Sequence, residues 1–354
     1  MRTIRGPSLF ISQFIDVEPE FATLDGIAGW AAGLGYVALQ IPISHPHIFD
    51  VEQAASSQAY CDGIGAALAR HGLVVSELTS QRQGHLMAVH PAYARMAGPL
   101  APPALRGDPA AWPGWAAAQI KAAATASRRM GLDRHGTFSG SLLWPYFYPY
   151  PPPPAELLAA GFDELARRWR AILDHFDSEG VDLCFELHPG EDLHDGATFE
   201  RFLDLVGGHR RCNILYDPSH FLLQHMDYAG FIEAYAGRIK AFHVKDAEFQ
   251  QSATSGVYGG YQDWAHRPGR FRSPGDGQID FGSIFSRLTA HDYDGWATLE
   301  WECCFKNRRD GAREGADFIR RHIIRVTDAA FDAKLRPQWG PEIAAAVLGL
   351  GGAP

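Results

Sequence analysis

The sequence predicts an α/β fold, a (β/α)8 barrel with long loops at the C-terminal face of its strands. Short runs of β-branched and aliphatic residues alternate with amphipathic or Ala-rich stretches, and eight such pairs can be counted along the 354 residues. Glycine follows several helix candidates shortly before the next apolar run. The hydrophobic fraction of 46% is also sufficient for the large core that one barrel with inserts requires.

The eight predicted strands are apolar runs bounded by turn-forming or polar residues. Helix candidates separate them along the chain, so all eight can run parallel in one barrel. They cover residues 8–14, 36–43, 73–79, 136–142, 182–188, 213–217, 239–244 and 296–301.

The predicted helices fill the intervals after these strands. Gly72, Gly131 and Gly180 indicate helix ends, because glycine takes the left-handed conformation past a helix without a steric cost. The helices cover residues 22–34, 52–71, 112–130, 155–178, 196–206, 227–236, 281–290 and 311 to about 332.

We expect one barrel domain over residues 1–335 and a C-terminal tail over 336–354, where PEIAAAVLGL could form a helix. Three inserts, at about 81–111, 144–154 and 247–280, each follow the C-terminal end of a strand. Loops this long inside a compact domain are usually functional lids or disordered, and their many aromatic residues favour ordered lids. The proline tract of the second insert could alternatively be a polyproline ligand for a partner domain.

Composition and charge exclude several classes of protein. The formal net charge of -9, without runs of Lys and Arg interleaved with aromatics, predicts no nucleic-acid partner. Five cysteines without CxxC spacing argue against a disulfide framework or a zinc ribbon. No apolar run approaches the roughly 20 residues of a membrane helix, and the N-terminus has no small-residue cleavage site. We therefore expect a cytoplasmic protein.

Four apolar runs in the second half of the chain, CFELHP, NILYDPSH, KAFHVKD and ATLEWE, end in metal-ligand residue types. They place Glu186, Asp217, His243 and Glu300 at corresponding points on four predicted strands, which converge at one end of a barrel. Buried carboxylates require compensation, and a divalent cation compensates several at once. Mixed oxygen and imidazole ligands suit Mn, Mg, Co, Zn or Fe.

Further polar residues beside these strands are candidates for substrate contacts. His188 and Lys245 share a strand face with the preceding ligand candidate, because alternate side chains of a strand point the same way. Glu302 likewise shares a face with Glu300 and is its rival as fourth ligand. The other two candidates are His220 and Asp246.

Simpler interpretations of the same residues stay open. Asp217 could cap the following helix, and His220 could bond a backbone carbonyl. His243 could be an ordinary core histidine. Lys245 and Asp246 could form a salt bridge without a role in binding.

Residues 182–302 resemble the xylose isomerase-like TIM barrels, a family of sugar isomerases and epimerases that includes D-tagatose 3-epimerase and inosose dehydratase. The four strand-end residues carry the resemblance, and GDGQIDFGSIF followed by YDGWATLEWE is also similar to the family's approach to its last strand. The resemblance implies one divalent metal, with manganese favoured, held by Glu186, Asp217, His243 and Glu300. It also implies that His220 contacts a substrate's terminal oxygens.

The family's chemistry is proton transfer at a carbon next to a carbonyl, through an enediolate that the metal stabilises. The resemblance therefore implies an isomerase or epimerase of a keto-sugar or related polyol, with Glu186 and Glu300 as base and acid. Loss of a β-hydroxyl or a glycosidic leaving group would instead give a dehydratase or lyase, acting on an inosose or 3-keto-glycoside. Trp144 and other insert aromatics could stack on sugar faces. The family often forms dimers or tetramers.

Two other classes remain as alternatives. A type IV apurinic endonuclease would need more ligands on the early strands, where only Glu77, His85 and His90 are candidates, and a basic surface. A barrel that binds a sugar without turning it over would not require the carboxylate and histidine set.

Overall fold

A computed structural model describes residues 1–350, in two units that divide after Ile324. The first unit contains a closed barrel of eight parallel strands, which confirms the predicted (β/α)8 barrel. Its strands are β1 (Arg5–Phe10), β2 (Ala38–Pro42), β3 (Val74–Thr79), β4 (Arg134–Thr137), β5 (Asp182–Glu186), β6 (Cys212–Tyr216), β7 (Ile239–Val244) and β10 (Trp296–Leu299).

Neighbouring strands follow the chain order around the barrel, and β10 closes it by pairing with both β7 and β1. The helices of this unit are α1 (Leu24–Gly33), α2 (Val51–Ser56), α3 (Gln58–Ala69), α4 (Gln81–Met87), α5 (Ala94–Ala97), α6 (Trp112–Arg129), α7 (Ala155–Glu179), α8 (Gly196–Leu205), α9 (Pro218–Leu223), α10 (Tyr228–Tyr235), α11 (Phe281–Ala290) and α12 (Arg308–His322).

Amphipathic spacing explains how the helices cover the barrel. On α7 the buried positions recur every three or four residues, which puts them on one face of the helix. Packing of this face against the strands, rather than intrinsic propensity, accounts for most of the stability of such a helix. The buried side chains are Phe162, Leu165, Ala166, Trp169, Ile172, Leu173 and Phe176.

Several predicted boundaries differ from the structure for local reasons. The predicted strand 136–142 ends at Thr137, because Gly140 has a positive φ of 78° and turns the chain. The predicted helix 52–71 is two helices, since Ser57 is extended and its side chain caps α3. The last predicted helix stops at His322, where the β-branched run that follows disfavours helix.

The predicted insert 247–280 contains secondary structure that the sequence did not predict. Strands β8 (Asp246–Phe249) and β9 (Gly269–Arg272) form a two-stranded antiparallel sheet directly after β7. Arg270 and Arg272 both pair with Glu248 across this sheet, at 2.6 and 2.7 Å. The third insert is therefore ordered at its base.

The barrel interior is layered, and this layering positions the polar residues. Cys184, Leu215 and Ala241 form a small apolar cluster inside the barrel, on β5, β6 and β7. Side chains alternate along a strand, so the residue two positions later on each strand points inward one layer higher. Those residues are Glu186, Asp217 and His243.

The second unit begins at Arg325 and contains a short 3-10 turn, Ala333–Leu335, and helix α13 (Pro341–Val347). The helix lies within the PEIAAAVLGL segment. The structural division after Ile324 comes earlier than the domain boundary at 335 that the sequence suggested. Among residues 1–350, no helix combines the length and the apolar character that crossing a membrane would take.

Candidate metal centre

Four side chains meet at the C-terminal end of the barrel strands. Glu186, Asp217, His243 and Glu300 each offer one ligand atom, and these atoms all lie within 4.8 Å of one another. All four residues are buried. The structure thus brings together the four positions that the sequence singled out, from four consecutive strands of the barrel.

The two carboxylate oxygens of Asp217 have different surroundings. Its Oδ1 caps α9 by accepting the backbone N–H of Ser219 at 2.8 Å, so the simpler interpretation of this residue holds for one oxygen. Its Oδ2 has no hydrogen-bond partner, and the same is true of Oε2 of Glu186. Oδ2 of Asp217 has ionic contacts with His220 at 3.3 Å and Lys245 at 3.7 Å, whereas Oε2 of Glu186 has neither, and a cation in the cluster would compensate both buried oxygens.

His243 is oriented by a chain of buried side chains. Its Nε2–H donates to Oε1 of Gln40 at 2.9 Å, and the Gln40 amide donates to Oε2 of Glu77 at 2.7 Å. Nδ1 of His243 faces Oε2 of Glu300 at 3.0 Å. A ligating histidine commonly donates its other ring N–H to such an acceptor, which fixes the ring and leaves the remaining nitrogen for the metal.

The sequence left Glu300 and Glu302 as rivals, and the structure gives them different places. Glu300 belongs to the cluster, with Oε1 accepting from Gln13 at 3.1 Å. Glu302 lines the open cavity above the cluster and pairs with Lys245 at 2.8 Å. Glu302 thus lies on the substrate side of the site.

Lys245 is buried among carboxylates. Its ammonium lies 3.2 Å from Glu300 and 3.7 Å from Asp217, in addition to its contact with Glu302. It also lies over the ring of Phe271, 4.3 Å from the ring centre. Burial alone would lower the pKa of Lys245, but these carboxylates raise it well above its usual value. Lys245 therefore stays charged inside the site.

His188 and His220 form the side of the site that faces the cavity. Their ring centres are 4.1 Å apart, and both line the cavity. Nε2 of His220 lies 3.1 Å from Glu186 and 3.3 Å from Asp217. Nδ1–H of His188 donates to the carbonyl of Pro189 at 2.5 Å, so its other nitrogen remains an acceptor.

Asp246 does not reach the cavity, although the sequence suggested a substrate contact. Its Oδ2 accepts the backbone N–H groups of Gly275 and Gly277 at 2.9 and 3.0 Å. Its Oδ1 accepts those of Ala247 and Ile279. With both oxygens used in this way, Asp246 fixes the chain that returns from the third insert. Asp246 also forms no salt bridge with Lys245, whose ammonium group pairs with Glu300 and Glu302 instead.

A cavity of about 1160 Å³ opens above the cluster. Trp144 lines it, as the sequence suggested, and stacks on Phe147 with ring centres 4.6 Å apart. Gln13 reaches it from the loop after β1, and its Oε1 is buried without a hydrogen-bond partner. An acceptor in that position suits a substrate hydroxyl.

The two catalytic candidates differ in their acidity. Burial, followed by repulsion from Glu300, raises the pKa of Glu186. Burial would also raise the pKa of Glu300, but Lys245 and His243 outweigh it and hold that pKa well below its usual range. Paired carboxylates with such divergent environments are suited to different roles in proton transfer.

The donor set fits a divalent cation. Burial alone would lower the pKa of His220 and His243, yet the neighbouring carboxylates raise each to about 9. The carboxylates thus favour positive charge beside them, and a divalent cation held within the cluster would supply it. Three carboxylates with one imidazole suit an oxygen-preferring metal rather than a thiolate-bound one.

Comparison with known proteins identifies a family with this fold. The family model described as xylose isomerase-like TIM barrel matches residues 28–322. The chain belongs to this family. The match spans the whole barrel after β1, including all four residues of the cluster.

Within the family, a curated sequence relative is an inosose dehydratase from Bacillus velezensis, 32% identical over 123 residues. That match covers 35% of this chain and 41% of the relative. Among the inosose dehydratases that the chain matches, the aligned part spans about half of the relative's length, from 40% to 54%.

Solved structures of other proteins show the same fold. The 3-keto-D-glucoside 4-epimerase of E. coli superimposes with a TM-score of 0.60 at 13% identity, covering 89% of this chain and 98% of that one. A xylose isomerase-like TIM barrel protein from Mycobacterium smegmatis, in complex with magnesium, gives 0.61 at 13% identity, with 90% and 96% covered.

Sequence reasoning missed the supporting residues Gln13, Gln40 and Glu77 as parts of this site. Gln40 and Glu77 lie inside strands β2 and β3 rather than at their ends, so the strand-end signal that identified the four ligands does not point to them. Glu77 was considered only as a possible endonuclease ligand. Gln13 lies in a loop, where no periodicity points to it.

Proposed function

We propose that the protein is a divalent-metal-dependent isomerase or epimerase, which moves a proton at a carbon next to the carbonyl of a keto-sugar or related polyol. The observation that carries this proposal is the buried cluster of three carboxylates and one histidine at the floor of a large cavity. Its polar neighbours Lys245, His188 and His220 suit a substrate rich in oxygen.

Glu186, Asp217, His243 and Glu300 would hold the metal, and we favour manganese. A bound divalent cation supplies Lewis-acid stabilisation of the negative charge that develops on a carbonyl oxygen when the neighbouring proton leaves. The magnesium complex of the family member from M. smegmatis supports a cation that prefers oxygen ligands.

Glu186 and Glu300 would transfer the proton. Burial and repulsion from Glu300 raise the pKa of Glu186, whereas Lys245 and His243 lower that of Glu300 against the effect of burial, so the two carboxylates suit different roles as base and acid. Lys245, between Glu300 and Glu302, would orient a substrate oxygen. His188 would accept a hydrogen bond from a hydroxyl through its free ring nitrogen.

A second candidate is a dehydratase or lyase that uses the same first step. Its support is the sequence similarity to inosose dehydratases and the position of His220. His220 lines the cavity, with Nε2 3.1 Å from Glu186, and from there it could deliver a proton to a departing hydroxyl. The two candidate reactions share the proton abstraction and differ in the product that the intermediate then forms.

The setting of the enzyme is part of the proposal. We propose a cytoplasmic enzyme with a small-molecule carbohydrate substrate, assembled as a dimer or tetramer. Five cysteines without a disulfide support a reducing compartment.

The test is incubation of the purified protein with keto-sugars, inososes and 3-keto-glycosides in deuterium oxide, with manganese, magnesium or cobalt. We expect deuterium at the carbon next to the carbonyl, detected by NMR, and loss of that exchange in Glu186→Gln. Glu164→Gln on the surface of α7 is the control and should exchange as the wild type does. Absence of exchange with every substrate and metal would refute the proposed function.

A further inference from the structure

The cavity is larger than a single sugar at the metal cluster requires. Its volume of about 1160 Å³ exceeds the roughly 300–1,000 Å³ of sites that hold drug-sized ligands. His188, His220 and Glu302 line its inner end, beside the cluster. One six-carbon sugar placed against them would leave the outer part of the cavity unfilled.

Four aromatic side chains of the inserts line the cavity, and we call them the aromatic rim: Trp144, Phe147, Tyr258 and Trp264. They come from the second and third inserts. Phe147, Tyr258 and Trp264 remain 43%, 62% and 44% exposed. Large aromatic side chains that stay this exposed around one cavity mark a binding surface more often than a packed lid.

The rim is held in place by contacts that do not depend on a ligand. Phe147 and Tyr258 touch edge to face with ring centres 6.4 Å apart, which joins the two inserts. Trp264 stacks on Phe271 at 4.7 Å. The start of the second insert is fixed by Asp192, whose carboxylate accepts the backbone N–H groups of residues 142 and 143. A binding surface fixed in advance loses little entropy when a ligand arrives.

We propose that the aromatic rim is a second subsite, which binds a ring attached to the sugar, so that the substrate is a glycoside rather than a free monosaccharide. This inference rests on the proposed function for the inner end of the cavity. The shared chemistry of the bound group is a flat apolar face. An aromatic aglycone and a second sugar ring both offer it, and the experiment separates them.

The probes are three unoxidised glucosides, which have no carbonyl group and therefore bind without turnover: methyl β-D-glucoside, phenyl β-D-glucoside and methyl β-cellobioside. Their affinities for the metal-loaded full chain would be measured by isothermal titration calorimetry. We expect phenyl glucoside or methyl cellobioside to bind roughly tenfold more tightly than methyl glucoside, the factor that stacking of about 1.4 kcal/mol gives.

Variants test whether the rim causes this preference. Phe147→Ala and Tyr258→Ala should bring the affinity for the second-ring ligand close to that for methyl glucoside, with the latter unchanged. Tyr261→Ala is the matched control, because Tyr261 lies in the same insert, is fully exposed and is not among the residues that line the cavity. It should keep the full preference.

Equal binding of the three glucosides, or no binding of any, would overturn the second subsite. A preference that persists in both Phe147→Ala and Tyr258→Ala would also overturn it. Preference for phenyl glucoside alone identifies an aromatic aglycone, and preference for methyl cellobioside alone identifies a second sugar. Deuterium exchange with keto-sugars tests the inner site separately, so failure of the subsite and failure of the proposed function give different results.

Discussion

Gln40 and His243 are joined by a 2.9 Å hydrogen bond that spans 203 residues of sequence. The bond links β2 to β7, which are not neighbours in the barrel. Because the Gln40 carbonyl oxygen can only accept, it fixes the proton on Nε2 of His243 and turns Nδ1 toward the carboxylates. A residue from the first quarter of the chain therefore orients a ligand that lies in the second half.

Replacing Gln40 should weaken metal binding without unfolding the barrel. In Gln40→Leu the ring of His243 loses the acceptor that orients it, and partners of this kind contribute about 10- to 100-fold to metal affinity. We expect the dissociation constant for manganese, measured by calorimetry, to rise by a factor in that range. Ser76→Ala, which removes a hydroxyl that bonds Ser8 in the same interior, is the control. Unchanged affinity in Gln40→Leu would show that the bond does not position the ligand.

Variants of Glu300 and Glu302 should differ in metal content, because we assign the first residue to metal binding and the second to the substrate side of the site. Glu300→Gln removes a charged group of the cluster, so the protein should purify with little metal. Glu302→Gln should keep a full equivalent, because this side chain contacts Lys245 rather than the cluster. Metal content by plasma mass spectrometry distinguishes the two variants. The opposite pattern would exchange the roles that we assign to these residues.

Lys245→Met should make the protein depend more strongly on metal for its stability. Removing the buried cation leaves Glu300 and Asp217 without that partner, and breaking such a buried pair costs about 3–5 kcal/mol. A bound divalent cation would offset part of this loss. We expect a lower melting temperature in chelator and a larger rise on adding manganese than in the wild type. The control is Lys121→Met on α6, and a rise no larger than in the wild type would contradict the prediction.

Gly311 should not tolerate a methyl group. A Cβ at this position of α12 would collide with the indole ring of Trp301, which lines the cavity and donates to Ser273 at 2.8 Å. Gly311→Ala should therefore destabilise the protein by about 1–3 kcal/mol in urea denaturation. Gly65→Ala on α3 is the matched control, since its Cβ meets nothing within 4 Å, and should stabilise by roughly 0.5–1 kcal/mol. If both variants changed the free energy of unfolding equally, α12 would be able to move away from Trp301 and accommodate the methyl group.

His135 should make the fold sensitive to acid. Burial lowers its pKa to about 3, whereas the unfolded chain takes up the proton near 6.5. Its contribution to stability is complete above pH 6.5 and is lost as the pH falls toward 3, because the unfolded state then binds the extra proton. By pH 5 the loss is about 2 kcal/mol. His135→Leu should show a free energy of unfolding that falls less between pH 7 and 5, and an unchanged slope would refute this.

The barrel and the four cluster residues could be predicted because both depend on local sequence. Each ligand ends an apolar run, and parallel strands of a closed barrel bring such ends together whatever the details of packing. The choice between Glu300 and Glu302 was left undecided, since alternation places both side chains on one strand face. Their different positions depend on the path of the loop after β10.

What the sequence missed depends on contacts between distant segments. Asp246 resembles a site residue because it follows His243 and Lys245, but its oxygens are used by backbone amides some thirty residues later. The pairing of β8 with β9 is equally non-local, because residues 250–268 separate the two short strands. Gln40 looked like an ordinary strand residue until its partner across the barrel was placed.

The pairing of β1 with β10 sets Ser8 opposite Thr298, two residues before Glu300. A contact between segments so distant in sequence forms slowly, and during synthesis it cannot form until the last barrel strand has left the ribosome. Glu186, Asp217 and His243 emerge earlier, on strands that already pair with one another. Capture of the metal with full affinity should therefore be among the last events in the maturation of the chain, and its timing would report when the barrel closes.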